Sequence, residues 1–310
     1  MARADHLLPD VALTRQVLDR RADLRTDPAL LTRLLADPTT RVFRLRGDAA
    51  EVLDAGDGGL RVRLGPPEPV DADHLVVYLG EAGGTHHLGV AEDLPEGAVA
   101  PEGLRTLRQA GARLDDLGAA IFVTTLALAN WHRSHGYCPR CGRPTVPVLA
   151  GWVRHCRADD SEHYPRTDMA VIMAVVDADD RILLARGKGF RGNGMSVLAG
   201  FVEPGETLAA AVAREVAEEV GVEVTDVTYL GDQPWPFPTS LMLGFTARAL
   251  STELTLQDTE IEAARWFTRD ELAAAVADGS LAVSGRVSIS RRLLEHWYGG
   301  PAEAPDVALR

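Results

Sequence analysis

Apolar positions along the chain change their spacing near residue 101 and again near residue 164. In the first hundred residues a short helical pattern opens at Asp27-Pro28 and runs through Leu35. Val42–Leu45 and Leu75–Leu79 alternate or run apolar as strands do. Gly, Pro and Asp gather between them at Asp54–Gly59 and Gly65–Pro69, as turns require. From Pro101, Leu104, Leu107, Ala110, Leu114 and Leu117 recur at helical spacing, and a second apolar stretch, Ala119–Trp131, follows until polar His132–His135 ends it. From Tyr164 on, strand and helix alternate. Met169–Val176 reads as a buried strand, Asp177–Asp180 as a tight turn and Ile182–Ala185 as the return strand. Thr207–Val220 reads as a helix closed by Gly221, Leu241–Ala249 as a strand, and Asp270–Ala277 and Ser288–Tyr298 as late helices.

Composition narrows the class. The 310 residues suit about two domains and need no covalent staples. A formal net charge of −13 argues against a protein that coats nucleic acid, although local patches can oppose the net sign. Three cysteines cannot all pair, which points to a reducing compartment and to metal or free thiol. The start, MARADHLLPD, places charges where a secretory signal needs an apolar core. The longest apolar runs, Leu117–Asn130 and Met169–Val176, are too short for a bilayer. A cytoplasmic protein with no membrane partner is expected. Gly83-Gly84-Thr85-His86-His87 reads as a polar hairpin tip, its two histidines being the alternative as ligands.

The chemistry concentrates between Gly200 and Val222. Glu215, Glu218 and Glu219 stand at i, i+3 and i+4, on one helical face. Crowded carboxylates repel one another unless a divalent cation lies between them, and all-oxygen ligation suits Mg²⁺ or Mn²⁺. Val212, Val216 and Val220 form an adjacent stripe that pins the helix to a core, and Arg214 can orient a glutamate. Pro204 and Gly205 supply the preceding turn. The stretch resembles the Nudix box: G, five residues, E, seven residues, then R-E-U-x-E-E-x-G-U with U aliphatic. Gly200, Glu206, Arg214, Glu215, Glu218, Glu219 and Gly221 match, as do the aliphatic Val216 and Val222. The resemblance implies metal-assisted hydrolysis of a nucleoside diphosphate linked to another moiety. It implies Glu215 and Glu219 as ligands, supported by Glu218 and the backbone carbonyl of Ala199.

Downstream, Gln233-Pro234-Trp235-Pro236-Phe237-Pro238-Thr239-Ser240 places three prolines among two aromatic rings, which stiffens a loop and offers flat faces. By composition alone it suits a packed proline-rich turn. Its place shortly after the box makes it similar to the QPWPFPxS array of the NADH pyrophosphatase branch of the Nudix superfamily, where the array lines the dinucleotide pocket. The same resemblance implies that Phe201 stacks near nicotinamide and that Tyr164 contacts substrate. It also implies that Glu260 binds metal, with Glu262 its rival, and that Ser290 offers a backbone contact from the partner region.

Cys138-Pro-Arg-Cys141-Gly is a good half of a zinc knuckle. The branch completes that site with a second CxxC; here it reads Cys156-Arg-Ala-Asp159, so the fourth position is a carboxylate. Zinc accepts carboxylate oxygen, and His155 and His163 are nearby candidates; three thiolates without metal are the alternative. The branch also carries a substrate-facing glutamate where this chain has Gly151.

The resemblance is tight over roughly residues 130–298. It implies an α+β N-terminal domain (1–134), a short zinc-ribbon-like connector (135–163) and a C-terminal Nudix α/β/α sandwich with a mixed sheet (164–310). The implied enzyme is a homodimer that splits NAD(H) into nicotinamide mononucleotide and AMP and removes NAD caps from RNA 5′ ends, with Mg²⁺ or Mn²⁺ for catalysis and Zn²⁺ as a structural ion. A looser dinucleotide or ADP-ribose pyrophosphatase is one alternative. A non-catalytic Nudix ligand sensor is the other, and the intact set of box glutamates speaks against it.

Overall fold

The computed structural model describes residues 7–15, 17–95, 101–256, 260–302, 304 and 309. Residues 1–6, part of the segment read for a secretory signal, lie outside them. Two compact units emerge from the packing. One comprises residues 13–167 with 235–239. The other comprises the chain up to residue 12 with 168–234 and 240–310. By sequence pattern the chain divides near 134 and 163; by packing, residues 135–163 cluster with the N-terminal segment.

The unit around residues 168–310 is built on a sheet whose strands run in the order Val224–Trp235, Ser240–Ala249, Asp168–Val176, Ile182–Gly187, Ile261–Phe267. Asp168–Val176 pairs parallel with Ser240–Ala249 and antiparallel with Leu198–Phe201, so the sheet is mixed. Asp168–Val176 is apolar at nearly every position because both of its faces are covered. Ile172, Ala174 and Val176 enter one core with Leu272, Ile289, Leu293 and Trp297 of the helices Arg269–Ala277 and Ile289–Tyr298. Val171, Met173 and Val175 enter the opposite core with Val212, Val216 and Val220 of the helix Leu208–Val220. That two-faced packing is the expected α/β/α layering. The Asp177 carboxylate closes the turn after the central strand by accepting from the backbone N–H groups of Asp179 and Arg181.

The other unit carries a sheet in the order Leu60–Val62, Ala49–Asp54, Arg41–Arg46, Thr85–Glu92, Leu75–Ala82, covered by the helix Asp116–Ser134. The hairpin at Gly83-Gly84 forms as expected. His87 is buried, and Nδ1 of His86 pairs with the Tyr78 hydroxyl at 2.9 Å, so neither histidine joins a ligand cluster among the described residues. The helical spacing from Leu104 to Leu117 does not make one helix. Leu104–Thr106 is a strand paired with Ala49–Glu51, Leu107–Ala110 is a single helical turn, and Asp115 caps a new helix. Leu107, Ala110 and Leu114 are all buried, so the spacing came from burial and not from one continuous helix. A further sheet, Val146–Val148, Val153–His155 and Glu162–His163, carries the cysteine loops.

No helix among the described residues is long and apolar enough to cross a membrane.

Candidate active site and metal centre

The helix Leu208–Val220 starts where Thr207 accepts from the Ala210 N–H and stops at Gly221, whose left-handed φ of 73° ends the helical run. Its valine stripe faces the core. That rotation presents Glu215 and Glu218 along one edge and leaves Glu219 only 7% exposed. Arg214 organises the group. Its Nε and Nη2 form a fork on Glu206, at 2.7 and 2.9 Å, and its Nη1 donates to Glu215 and Glu218, each at 2.9 Å. Nη2 also donates to the Phe201 carbonyl at 2.9 Å, which ties the helix to the strand Leu198–Phe201.

The electrostatics follow from these contacts. The fork from Arg214 holds the Glu206 carboxyl down at about 2. Burial pushes the Glu215 carboxyl up, against the pull of Arg214, and the charges of Glu218 and Glu260 push the same way. Glu260, exposed at the start of the strand Ile261–Phe267, is thus the acid whose charge reaches Glu215; its rival Glu262 is exposed within that strand.

Gly200 makes the recess in which Glu215 sits: a Cβ there would lie 1.9 Å from the Glu215 carboxyl carbon. Ala199 is exposed in the same strand, opposite Ile172, and Phe201 ends the strand with its ring 60% exposed. Hard oxygen donors on one helix edge, drawn together over a recess with only one arginine among them, fit a divalent cation.

The array begins as a strand, since Val224–Trp235 includes Gln233 and Pro234. Gln233 was expected to face substrate, but it is fully buried. Its Nε2 donates to the carbonyls of Ala12 and Val287, and its Oε1 accepts from the Ile289 N–H. Both ends of the amide are engaged inside the fold, so Gln233 braces the strand from behind. The Ser290 side chain is buried in a hydroxyl cluster with Ser196 at 2.7 Å and Ser284 at 3.1 Å, whereas the contact expected of this residue is through its backbone. Pro234 is half-buried, and Ser240 opens the next strand opposite Asp168.

Trp235, Pro236, Phe237, Pro238 and Thr239 cluster with residues 13–167. The Trp235 and Phe237 rings meet edge to face at 4.8 Å, and the Phe237–Pro238 bond is cis. Tyr164, in the same unit, is 64% exposed, and the bond its hydroxyl donates to Glu162 raises its pKa.

In the cysteine region, two loops repeat one turn. The Gly142 N–H donates to the Cys138 carbonyl, and the Asp160 N–H donates to the Cys156 carbonyl, both at 2.9 Å. Gly142 and Asp160 occupy the same left-handed position, at φ 71° and 59°. Asp159 therefore stands in the second loop where Cys141 stands in the first. The donor atoms of Cys138, Cys141, Cys156 and Asp159 lie within 4.8 Å of one another, an arrangement able to hold a metal ion. His155 turns to Asp160 at 2.9 Å and His163 to the Ser161 hydroxyl at 3.1 Å, so neither is in that set. Bonds from the Ser161 hydroxyl and the Cys156 thiol hold the Asp159 carboxyl well below the usual carboxylate range.

Comparison with known proteins gives the family. The family model for the NUDIX domain matches residues 166–284, and that for the NADH pyrophosphatase zinc ribbon domain matches residues 133–164. A curated relative named NAD-capped RNA hydrolase NudC, from Mycobacterium bovis (strain BCG / Pasteur 1173P2), is 37% identical over 316 residues. The match covers 94% of this chain and 96% of that protein. The chain belongs to the NudC branch of the Nudix hydrolases. The human NAD-capped RNA hydrolase NUDT12 is 39% identical over 197 residues, covering 60% of this chain and 43% of that protein. Among solved structures, a NUDIX hydrolase from Nitrosomonas europaea aligns at a TM-score of 0.42 and 23% identity, over 54% of this chain and 94% of that one. As a Nudix hydrolase with a zinc ribbon, this protein is an enzyme acting on pyrophosphate bonds with Mg²⁺ or Mn²⁺, and its ribbon's cysteine cluster supports structural zinc.

Within this Nudix hydrolase, Gly151 is more than a missing glutamate. Leu149, Ala150 and Gly151 all have positive φ, at 48°, 53° and 87°. A Cβ on Gly151 would meet Val77 Cγ1 at 2.5 Å and the Val76 carbonyl at 2.9 Å. Its own carbonyl accepts from Nε2 of the buried His132, whose Nδ1 accepts from Arg154 at 2.7 Å. The backbone here is committed to the fold, with no room for a substrate-facing side chain.

Sequence reasoning missed Gly200's recess, Ser161 beside the cysteine cluster, and the partners of the array tip, Arg108 and Asn130. Gly200 carries a signal, as the first letter of the box, and Ser161 lies only two residues from its partner Asp159; Arg108 and Asn130 lie too far from the array in the chain to be paired with it by spacing.

Proposed function

We propose that this chain hydrolyses the pyrophosphate of NAD(H) to nicotinamide mononucleotide and AMP and removes NAD caps from RNA 5′ ends. The observation that carries the reading is a complete glutamate set, gathered by Arg214 over the Gly200 recess, in a chain that also carries the proline-aromatic array. The relatives named for NAD-capped RNA hydrolysis support it.

Glu215, Glu218, Glu219, Glu260 and the Ala199 carbonyl are the groups assigned to hold Mg²⁺ or Mn²⁺. When bound, such ions neutralise the diphosphate and make water a nucleophile at neutral pH. The protein's own work is positional. Arg214 fixes the carboxylates of Glu215 and Glu218, and Glu206 fixes Arg214. The exposed rings of Phe201 and Tyr164 supply flat faces for a base or nicotinamide. Pro234, Trp235, Pro236, Phe237, Pro238, Thr239 and Ser240 form the wall assigned to the dinucleotide. Cys138, Cys141, Cys156 and Asp159 are the assigned zinc ligands. The reading includes a cytoplasmic homodimer: the three unpaired cysteines suit a reducing compartment, and light scattering measures the subunit count.

Product analysis tests the function. Incubation with NADH and with NAD-capped RNA, in Mg²⁺ or Mn²⁺, is expected to release nicotinamide mononucleotide and leave AMP or a 5′-phosphate end. If ADP-ribose and diadenosine substrates turn over faster than NADH, the looser pyrophosphatase replaces this reading. Glu219→Gln is expected to lose turnover by orders of magnitude while retaining substrate binding; full activity in that variant removes the metal role.

A further inference from the structure

Within the unit of residues 13–167 and 235–239, one side chain grips the array's backbone twice. Asn130 Nδ2 donates to the Pro236 carbonyl at 3.0 Å and to the Pro238 carbonyl at 2.9 Å. The two carbonyls straddle Phe237. Neither proline has an N–H, so this part of the loop has few backbone donors of its own, and its carbonyls need donors from elsewhere. The amide's orientation is set from its other end. Asn130 Oδ1 accepts from Arg133 Nη1 at 2.6 Å, and Arg133 Nε donates to Asp93 at 2.7 Å. A guanidinium only donates, so the oxygen must face Arg133 and both amide hydrogens must face the loop. Asn130 and Arg133 stand three residues apart on the helix Asp116–Ser134, on adjacent turns of one face. On the ring side, the Arg108 guanidinium lies 4.0 Å from the Phe237 ring centre and 5.0 Å from that of Trp235.

We propose that Asn130, oriented by Arg133, is a positioning residue for the substrate-binding array: it sets the height and tilt at which Trp235 and Phe237 are presented. This rests on the reading of the array as the dinucleotide's wall.

Full-length wild type, Asn130→Ala and Asn130→Asp are compared by steady-state kinetics on NADH and by hydrogen exchange across residues 235–240. Asp matches Asn in shape but turns a carboxylate toward two carbonyls, so it loses the clamp without losing volume. Both variants are expected to raise KM about tenfold with kcat within about threefold, and to speed exchange at the Phe237 amide, which donates to the Trp235 carbonyl at 2.7 Å. Arg133→Met leaves Asn130 in place but frees its amide to turn over, and is expected to give an intermediate rise. It also serves if an Asn130 variant fails to fold. Wild-type KM and exchange in Asn130→Asp overturn the proposal, because a packing role alone would tolerate that change. If wild type itself does not cleave NADH, the functional reading fails separately, and the exchange data alone decide the clamp.

Discussion

Gly200 and Glu215 occupy the same space in turn: a Cβ on residue 200 would stand 1.9 Å from the Glu215 carboxyl carbon and 2.1 Å from each of its oxygens. The colliding atoms are the far end of a flexible side chain, so the fold can yield while the carboxylate is displaced. Gly200→Ala is therefore expected to melt within about 2 °C of wild type yet lose at least about a hundredfold in kcat, since an ångström of misplacement has that scale of effect. Differential scanning calorimetry beside NADH turnover checks it. A large loss of stability with activity per folded molecule intact would contradict the account.

The two cysteine loops superimpose in their hydrogen bonding, with Asp159 as the odd member. Metal analysis of freshly purified protein is expected to give about one zinc per chain. Asp159→Cys is expected to keep it, whereas Asp159→Ala should release zinc to a chelator at least about tenfold faster and lower the melting temperature. Zinc retained equally in Asp159→Ala and wild type would remove Asp159 from the ligand set.

Restoring the branch's glutamate at residue 151 is expected to harm the protein. The position has φ 87° and abuts the Val76 carbonyl and Val77. Gly151→Glu should destabilise by roughly 2–4 kcal/mol in urea titration, combining backbone strain with overpacking. Improved NADH binding in a stably folded variant would show that the loop rearranges freely.

His132 gives a pH signature. Burial, opposed by the bond to the Gly151 carbonyl and reinforced by the Arg154 charge, lowers its pKa from 6.5 to about 4. Because Arg154 must donate to Nδ1, the folded state holds the neutral ring with its proton on Nε2. The unfolded chain binds this proton more readily, so the stabilisation is complete above pH 6.5 and is lost as pH falls toward 4. It amounts to about 3 kcal/mol. Urea unfolding at pH 7.5 and pH 5 should show that slope in wild type and a shallower one in His132→Gln. Parallel slopes would refute it.

The parts of the fold that were legible from sequence are those in which local pattern and burial coincide. The valine stripe at 212, 216 and 220, with Thr207 and Gly221 at the ends, placed the glutamate helix almost to the residue. The apolar run 169–176 placed the central strand because covered faces leave no polar position. Residues 101–117 misled for the converse reason: a strand, a turn and a helix start bury leucines at intervals that mimic a helix. In the site, the acids could be found by spacing along one helix. What supports them could not, because Asn130 meets the array 106 and 108 residues downstream. The burial of Gln233 was not legible either, because a motif letter records that a residue is needed, and not which way it points.

The division of the chain has a consequence for anyone cutting it. Residues 7–12 pack with the C-terminal unit, where the Leu8 N–H donates to the Leu230 carbonyl, while 235–239 pack with the N-terminal one. Each half thus lends a short piece of itself to the other. A fragment severed at 167/168 would leave Trp235 and Phe237 without Arg108 and Asn130, and would strip Leu230 of its terminal neighbour. The two units are separable on a map of motifs, but no single cut in the sequence yields both of them whole.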